Sequence, residues 1–539
     1  MTAYISLTVL AVFGYLALKV FRNYLFSSPL DNIPGPPPVS LWTGHLPQLF
    51  DRKAWKFMAH TASTYGPISL LKGLFGRRIL LIHDPLALHA IVVKEQEFYT
   101  KYVTPSNDVK LYLGPGVLTT VGEQHMRQRK LLNPVFSVSH LRKMTHIFYN
   151  VAHKMRSALA LRLPRDGDGK VLDVNEWMAR TTLEMLGQAG LGYSFDNFEE
   201  DSIDPYGESI KMSLVKFKFL VEQLSWVFSD ASLLWLLSLI PSKDMRRMLK
   251  ITDTMRKHSQ RIIDEKKAAL KKGNDALKRA VGEGKDIMIR ANMAAGDKEK
   301  MTDEEILAQT STFILAGMES TSNALSRVLH LLAQNPTMQE KLRAEIIDAQ
   351  GGAEPGDTNA AIPYDDLNKL PYLDAVCRET LRMHAPLPIT SRLAAKDMVL
   401  PLATPVRGND GRVLHEIVVP EGTGVLVHYQ GSNSAPELWG DDAHEWKPER
   451  WLAPLPQALE DARIPGVYSN LMTFSGGASS CIGFKFGQLE MKIVLATLLS
   501  SFAFELSDKD ITWNWAGVMY PTMGEESNKS EMLLKVKAL

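Results

Sequence analysis

The chain opens on an apolar run. Residues Ala3 to Leu18 (AYISLTVLAVFGYLAL) carry no charge, and after Lys19 and Arg22 the apolar character resumes to Phe26. A spanning helix needs about 20 mainly apolar residues, a length this run reaches when Lys19 snorkels towards the interface. No cation precedes the run and no A-x-A-like cleavage site follows it. Residues 1–26 therefore predict an uncleaved membrane anchor, not a signal peptide. The cations lie after the run, which by the positive-inside rule leaves the body of the chain in the cytosol. Residues 27–39 contain Ile33-Pro34-Gly35-Pro36-Pro37-Pro38, where fixed proline φ angles predict a stiff, extended hinge.

Beyond the hinge, ISLLKG (68–73) and RILLI (78–82) predict two short strands. Asp84-Pro85 predicts an N-cap with proline at the first helical position, opening a helix through Val93. From about residue 125 the spacing is mainly helical, with loops near 164–170, 272–286 and 351–363 and a strand-like Val425 to His428. The longest helical pattern is Thr302 to Gln334. Thr302 with Glu305 makes a capping box, and Asn335-Pro336 ends it. At about 1.5 Å per residue this helix spans nearly 50 Å. Trp226 to Leu239 is very apolar but short, and Asp230 interrupts it. It predicts a buried helix, the alternative being a hydrophobic lip at a membrane or substrate entrance. With no repeat and no linker signal, residues 40–539 predict one large, mainly α domain with a minor β part.

Composition narrows the class. The chain has 539 residues, 45% hydrophobic and 22% charged, which allows a large core with room for a cofactor. The net charge of +1, without a clustered basic motif, excludes a general pull towards nucleic acid. Only Cys377 and Cys481 occur, which rules out a disulfide framework and fits a reducing compartment. The sequon Asn528-Lys529-Ser530 would stay unmodified in the cytosol.

The chemistry concentrates around one cysteine. In Phe474-Ser475-Gly476-Gly477-Ala478-Ser479-Ser480-Cys481-Ile482-Gly483 the glycines and serines form a loop able to pass close to a flat cofactor. The following FGQLEMKIVLATLLSSF is helical in pattern, so Cys481 precedes a helix N-terminus, where the macrodipole and free N–H groups favour a thiolate. Taken alone, such a cysteine is more often an inert buried thiol. Glu379 and Arg382, at i and i+3 in a helix between Pro371 and Pro386, share a face and can pair. In the middle of the long helix, Ala316-Gly317-Met318-Glu319-Ser320-Thr321 sets an acid and two hydroxyls inside an apolar helix. That is either a kink with back-bonded hydroxyls or an oxygen pocket.

In this order, the motifs resemble the cytochrome P-450 family of haem-thiolate monooxygenases, of eukaryotic microsomal and fungal-looking type. The cysteine run is similar to the family's F-x-x-G-x-x-x-C-x-G loop, matched by Phe474, Gly477, Cys481 and Gly483. Ser479 replaces its usual basic residue, and Gly487 takes the position of a small residue. Glu379 and Arg382 resemble its E-x-x-R pair, with Arg450 of Pro448-Glu449-Arg450-Trp451 completing the network. Ala316 to Thr321 resembles A-G-x-D/E-T-T, with Ser320 at the proton-handling hydroxyl. His125 and Arg129 resemble its W-x-x-x-R helix, and Arg392 another propionate-binding arginine. The resemblance implies the cytochrome P-450 fold and haem b held by Cys481 as metal ligand. His125, Arg129, Ala316, Gly317, Arg392, Phe474, Gly477 and Gly483 would lie around the cofactor.

Glu319, Ser320 and Thr321 would then handle protons, while the thiolate favours O–O cleavage. Electrons would come from NADPH through a cytochrome P-450 reductase, with cytochrome b5 a further partner. Arg127, Lys130 and Lys485 are candidate cations for that docking, or simply solvated charge. The implied reaction inserts one atom of O₂ into a lipophilic molecule, such as a terpenoid or xenobiotic, at the endoplasmic reticulum membrane. Substrate walls would come from 99–121, 205–240 and Leu387 to Thr390. The alternatives are an O₂-independent haem-thiolate isomerase or dehydratase, which tends to lack the acid–hydroxyl pair, and a non-catalytic haem sensor.

Overall fold

Two compact units make up the chain, each discontinuous in sequence. A computed structural model describes residues 23–101, 113–165, 167–199, 242–271, 299–351 and 360–539, with isolated positions between them. The expected anchor run to Arg22 lies outside the described residues. So do 102–109, 205–231 and the loop at 272–286. Among the described residues no helix is long and apolar enough to cross a membrane.

In the first unit (residues to 102, 388–443 and 456–480), the two apolar segments pair as expected. Ile68–Lys72 and Arg78–Ile82 run antiparallel, with Ile68 opposite Ile82. Gly424–His428 joins Arg78–Ile82 in parallel, followed by Ile389–Ala394 and Tyr99–Lys101. Asp84 caps the helix Pro85–His89 through the amides of Leu86 and Ala87. The same carboxylate accepts from the amides of Ala403 and Thr404, so one side chain fixes a helix start and a β-hairpin. A π-helical turn, Ala90–Lys94, then ends the segment. The proline-rich stretch is docked rather than free. Pro34 O accepts from Leu70 N at 2.9 Å, and Ile33 is buried. Asp31 receives Arg78 and Lys72. Burial alone would raise the Asp31 carboxyl, but those hydrogen bonds override it and hold it well below the usual range.

In the second unit (residues 103–387, 444–455 and 481–539), the helix Asp303–Gln334 is the organising element. Both halves of its capping box form: Glu305 N donates to Thr302 Oγ1, and Thr302 N to Glu305 Oε2. Val174–Met185, Pro371–Met383 and Phe484–Leu499 pack against it. Phe136, Phe148, Phe313 and Phe486 form an aromatic cluster with ring centroids 4.8–6.1 Å apart. The chain ends in the sheet Phe502–Leu506, Leu533–Ala538, Lys170–Asp173 and the hairpin Ile511–Trp515/Met519–Met523.

Glu379, without exposed surface, is saturated. It accepts from Arg382 Nε and Nη2, each at 2.8 Å, from Trp451 Nε1 at 2.9 Å and from Lys447 N at 3.1 Å. Arg450 Nε approaches at 3.4 Å, and Arg382 also donates to Glu445 O. Removing one partner of a buried pair strands the other charge, at a cost of about 3–5 kcal/mol. Glu379→Ala is accordingly expected to lose about that much stability, measured as a lowered denaturant midpoint. Glu379→Gln should lose less, because it keeps an acceptor.

Candidate active site

Cys481 lies two residues before the N-cap Gly483 of the helix Phe484–Leu499. The backbone N–H of Gly483 reaches its sulfur, and Arg129 stands close enough to interact with it electrostatically. Burial nevertheless pushes the thiol above its ordinary value, with Gly483 and Arg129 pulling the other way. The expectation that the helix terminus would favour a thiolate is corrected here. Desolvation outweighs the dipole until a positive partner arrives. Cys481 is deeply enclosed yet solvent-accessible, so its sulfur faces an internal hollow. An enclosed thiol with an N–H and a guanidinium beside it fits the thiolate ligand of a metal centre. Cys377, by contrast, is fully buried and pushed up to about 12 by desolvation, the behaviour of an inert core thiol.

The long helix shows the same opening. Within its otherwise buried middle, Ala316 is exposed, and Gly317 and Ser320 are half-buried. Met318, Glu319 and Thr321 point away and are buried. A Cβ on Gly317 would stand 2.9 Å from Leu186 Cδ2, so this glycine serves close packing. Ser320 Oγ donates to Ala316 O at 2.7 Å. The two hydroxyls therefore separate: Ser320 lies at the accessible face, while Thr321 bonds the carboxyl of Glu490. Burial holds that carboxyl well above its ordinary range. Glu319 is buried, and Asn323 Nδ2 donates to its carbonyl at 2.6 Å.

His125 and Arg129, at i and i+4 in Gly122–Leu132, lie on one face, the histidine buried. The neighbouring cations are already engaged. Arg127 pairs with Glu305, and Lys130 with Glu299 at 2.5 Å. Lys485 has no carboxylate partner among the described residues.

The first unit carries the loop that leads to Cys481. Gly477 has φ 65°, and a Cβ there would overlap Val92 O at 1.8 Å. Only glycine fits. Ala478 N donates to Gln96 Oε1 at 2.9 Å, a contact for which the sequence offers no motif. Ser475 accepts from Tyr429 OH, itself bonded by Thr390 Oγ1. The Phe474 ring meets Tyr468 edge-on. Arg392 is buried, donating through Nη1 to Ser391 O at 2.9 Å. Among the described residues no cluster of three or more His, Cys, Asp or Glu could hold a metal ion.

Comparisons with known proteins agree with this architecture. The family model for cytochrome P450 matches residues 34–523. The chain is 52% identical to the ganoderic acid synthetase of Ganoderma lucidum, over 99% of both chains. It is 50% identical to cytochrome P450 monooxygenase 91 of Postia placenta, over 96% of both. It is 46% identical to monooxygenase 81 of the same species, over 98% of this chain and 97% of that one.

The thiols give a direct check. Iodoacetamide at pH 8 is expected to alkylate Cys481 alone in cofactor-free protein, more slowly than free cysteine. Cys377 should remain unmodified until unfolding. Intact-mass spectrometry with Cys481→Ser as control reads the stoichiometry, and cofactor loading should abolish the single modification.

Proposed function

This chain belongs to the cytochrome P450 family and is a haem-dependent monooxygenase, and we propose that it oxidises a lipophilic secondary metabolite of terpenoid type. Haem b is its cofactor, and electrons derived from NADPH reach it through a reductase. When bound, haem with a thiolate ligand supplies O₂ activation, the thiolate favouring O–O cleavage.

The chain's own residues have separable tasks in this reading. Cys481 is the iron ligand, with Gly483 N–H tempering the charge on sulfur. Arg129, His125 and Arg392 bind the propionates by charge-assisted and ring N–H bonds. Phe474 and Gly477 shape the approach of the loop. Ala316 and Gly317 leave space above the cofactor, and Ser320 is the hydroxyl that passes protons. Thr321, bonded to Glu490, holds two helices together more than it relays. Glu319 supports the helix from its buried side. The observation that carries the reading is an enclosed, accessible Cys481 with Arg129 beside it.

The terpenoid assignment draws on the relative named for ganoderic acid synthesis. Residues 1–26 would tether the enzyme to the endoplasmic reticulum membrane with the catalytic domain cytosolic, on the strength of the apolar run alone. NADPH–cytochrome P450 reductase, and cytochrome b5, would dock using Lys485, which has no acidic partner among the described residues.

A reduced, CO-bound difference spectrum tests the ligand. The wild type is expected to show the red-shifted Soret band of thiolate-ligated haem and Cys481→Ser to lose it; an unshifted band in the wild type would overturn the assignment. The hydroxyls are tested by coupling. Ser320→Ala should lower product formed per NADPH consumed by about tenfold or more, with hydrogen peroxide rising. Thr321→Ala should keep coupling but lose stability.

A further inference from the structure

Arg327 stands apart from the other deep charges of the second unit. It is half-buried by surface area. Yet it is so enclosed that desolvation alone pulls its proton affinity well below the ordinary value. A guanidinium keeps its proton across the physiological range regardless, so that penalty amounts to a demand for an anion. Part of its surface nevertheless remains accessible.

Among the described residues Arg327 makes no ion pair and no hydrogen bond, and its Nε is buried without an acceptor. What it has is a platform. The guanidinium carbon lies 3.6 Å from the centroid of the Trp513 ring, a stacking contact that covers one face and leaves the N–H edges free. Trp513 is itself held, its Nε1 donating to His330 Nδ1 at 3.0 Å. Trp515 lies two residues along the same strand and so on the same face. Its Nε1 is a second buried donor without a partner. His384, half-buried at the end of Pro371–Met383, is held neutral by burial and by the charge of Arg327. Met519 N donates to Pro386 O at 2.8 Å. That bond fixes the Trp513–Trp515 hairpin against the segment that follows His384.

The position on the long helix relates this site to the chemistry. Seven residues separate Ser320 from Arg327, two helical turns, so both lie on one face about 10 Å apart along the axis. Resting on the monooxygenase reading above, we propose that Arg327 holds a carboxylate carried by the lipophilic substrate, fixing the molecule about 10 Å from the carbon it presents beside Ser320. The guanidinium is pre-stacked and pre-desolvated, so a carboxylate there meets a donor fork that needs no rearrangement. Trp515 Nε1 is the additional donor for its second oxygen.

The test uses full-length, haem-loaded protein, its integrity checked in every variant by the CO difference spectrum. Binding of dodecanoic acid, abietic acid and their methyl esters is titrated by the absorbance shift of the ferric haem. A charge-assisted contact in a desolvated site should make at least one acid bind the wild type about tenfold or more tighter than its ester. Arg327→Gln should bring acid and ester to parity without weakening the ester, and Arg327→Lys should keep part of the preference. Two results would overturn the proposal while leaving the monooxygenase reading intact. One is that neither acid is preferred by wild-type protein of normal CO spectrum, in which case the open edges of Arg327 meet water only. The other is a preference that survives Arg327→Gln, in which case the anion is held elsewhere. A wild-type spectrum without the red-shifted band would instead overturn the haem-thiolate assignment, and the proposal with it.

Discussion

A carboxylate without solvent contact must be saturated by donors, and Glu379 imposes that constraint on the second unit. Its two oxygens accept from Arg382, Lys447 N and Trp451, with Arg450 close by. Three of these five donors come from residues 447–451, about 70 residues further along the chain. Hydrophobic burial could hold that segment against the helix in several registers. A fork of fixed N–H groups around one acid is satisfied in only one. Such clusters add little net stability over an apolar core of the same size. Their contribution here is to specify position: Glu449, between two of those residues, reaches Tyr372 and Lys341. The peptide just before Cys481 is fixed in the other unit by similar means, with Gly477 against Val92 O and Ala478 on Gln96.

The long helix solves a different problem, carrying polar groups in its middle without unravelling itself. Ser320 satisfies its hydroxyl on the carbonyl one turn back, so it is a donor in reserve that costs the helix little. Thr321 faces another side of the helix and bonds the carboxyl of Glu490. Two adjacent hydroxyls thus serve two purposes because adjacent residues on a helix point about 100° apart. Gly317, which costs about 1 kcal/mol of helix propensity, allows Leu186 to pack against the backbone.

Elements with local signals were legible in the sequence: the capping box at Thr302, the Asp84 cap, the strands at 68 and 78, and the run after Gly483. The π-helical turns at Ala90–Lys94 and Leu186–Leu191 were not, since no residue type marks an i to i+5 bond. The proline stretch read as a hinge because proline fixes φ. That it lies docked on Leu70, with Asp31 just before it held by Arg78, depends on partners about 40 residues away. In the candidate site, motif spacing named the residues but not which way they face. The separation of Ser320 from Thr321 and the pairing of Arg127 with Glu305 are tertiary facts. The thiol of Cys481 is the sharpest case. Helix-terminus reasoning predicts a lowered proton affinity, and burial reverses it, because the dipole acts within one turn while desolvation sums over the whole surroundings.

That reversal bears on how buried charge should be read throughout the second unit. Arg180 is matched by Asp196, Arg343 by the carbonyls of Leu499 and Phe502, and Lys492 by Asp374. Each of these cations has a fixed partner within hydrogen-bond reach. Cys481 and Arg327 differ in the same respect: both are enclosed and accessible, and burial dominates the proton affinity of each. For the thiol, a positive partner would offset that burial, and on the proposed reading that partner would be the haem iron. By the same physics a guanidinium wants an anion, and a stacked guanidinium with free edges wants a planar one. A fold that saturates Glu379 so completely has the means to neutralise Arg327 internally; among the described residues it does not, which leaves the guanidinium open to a partner that comes and goes.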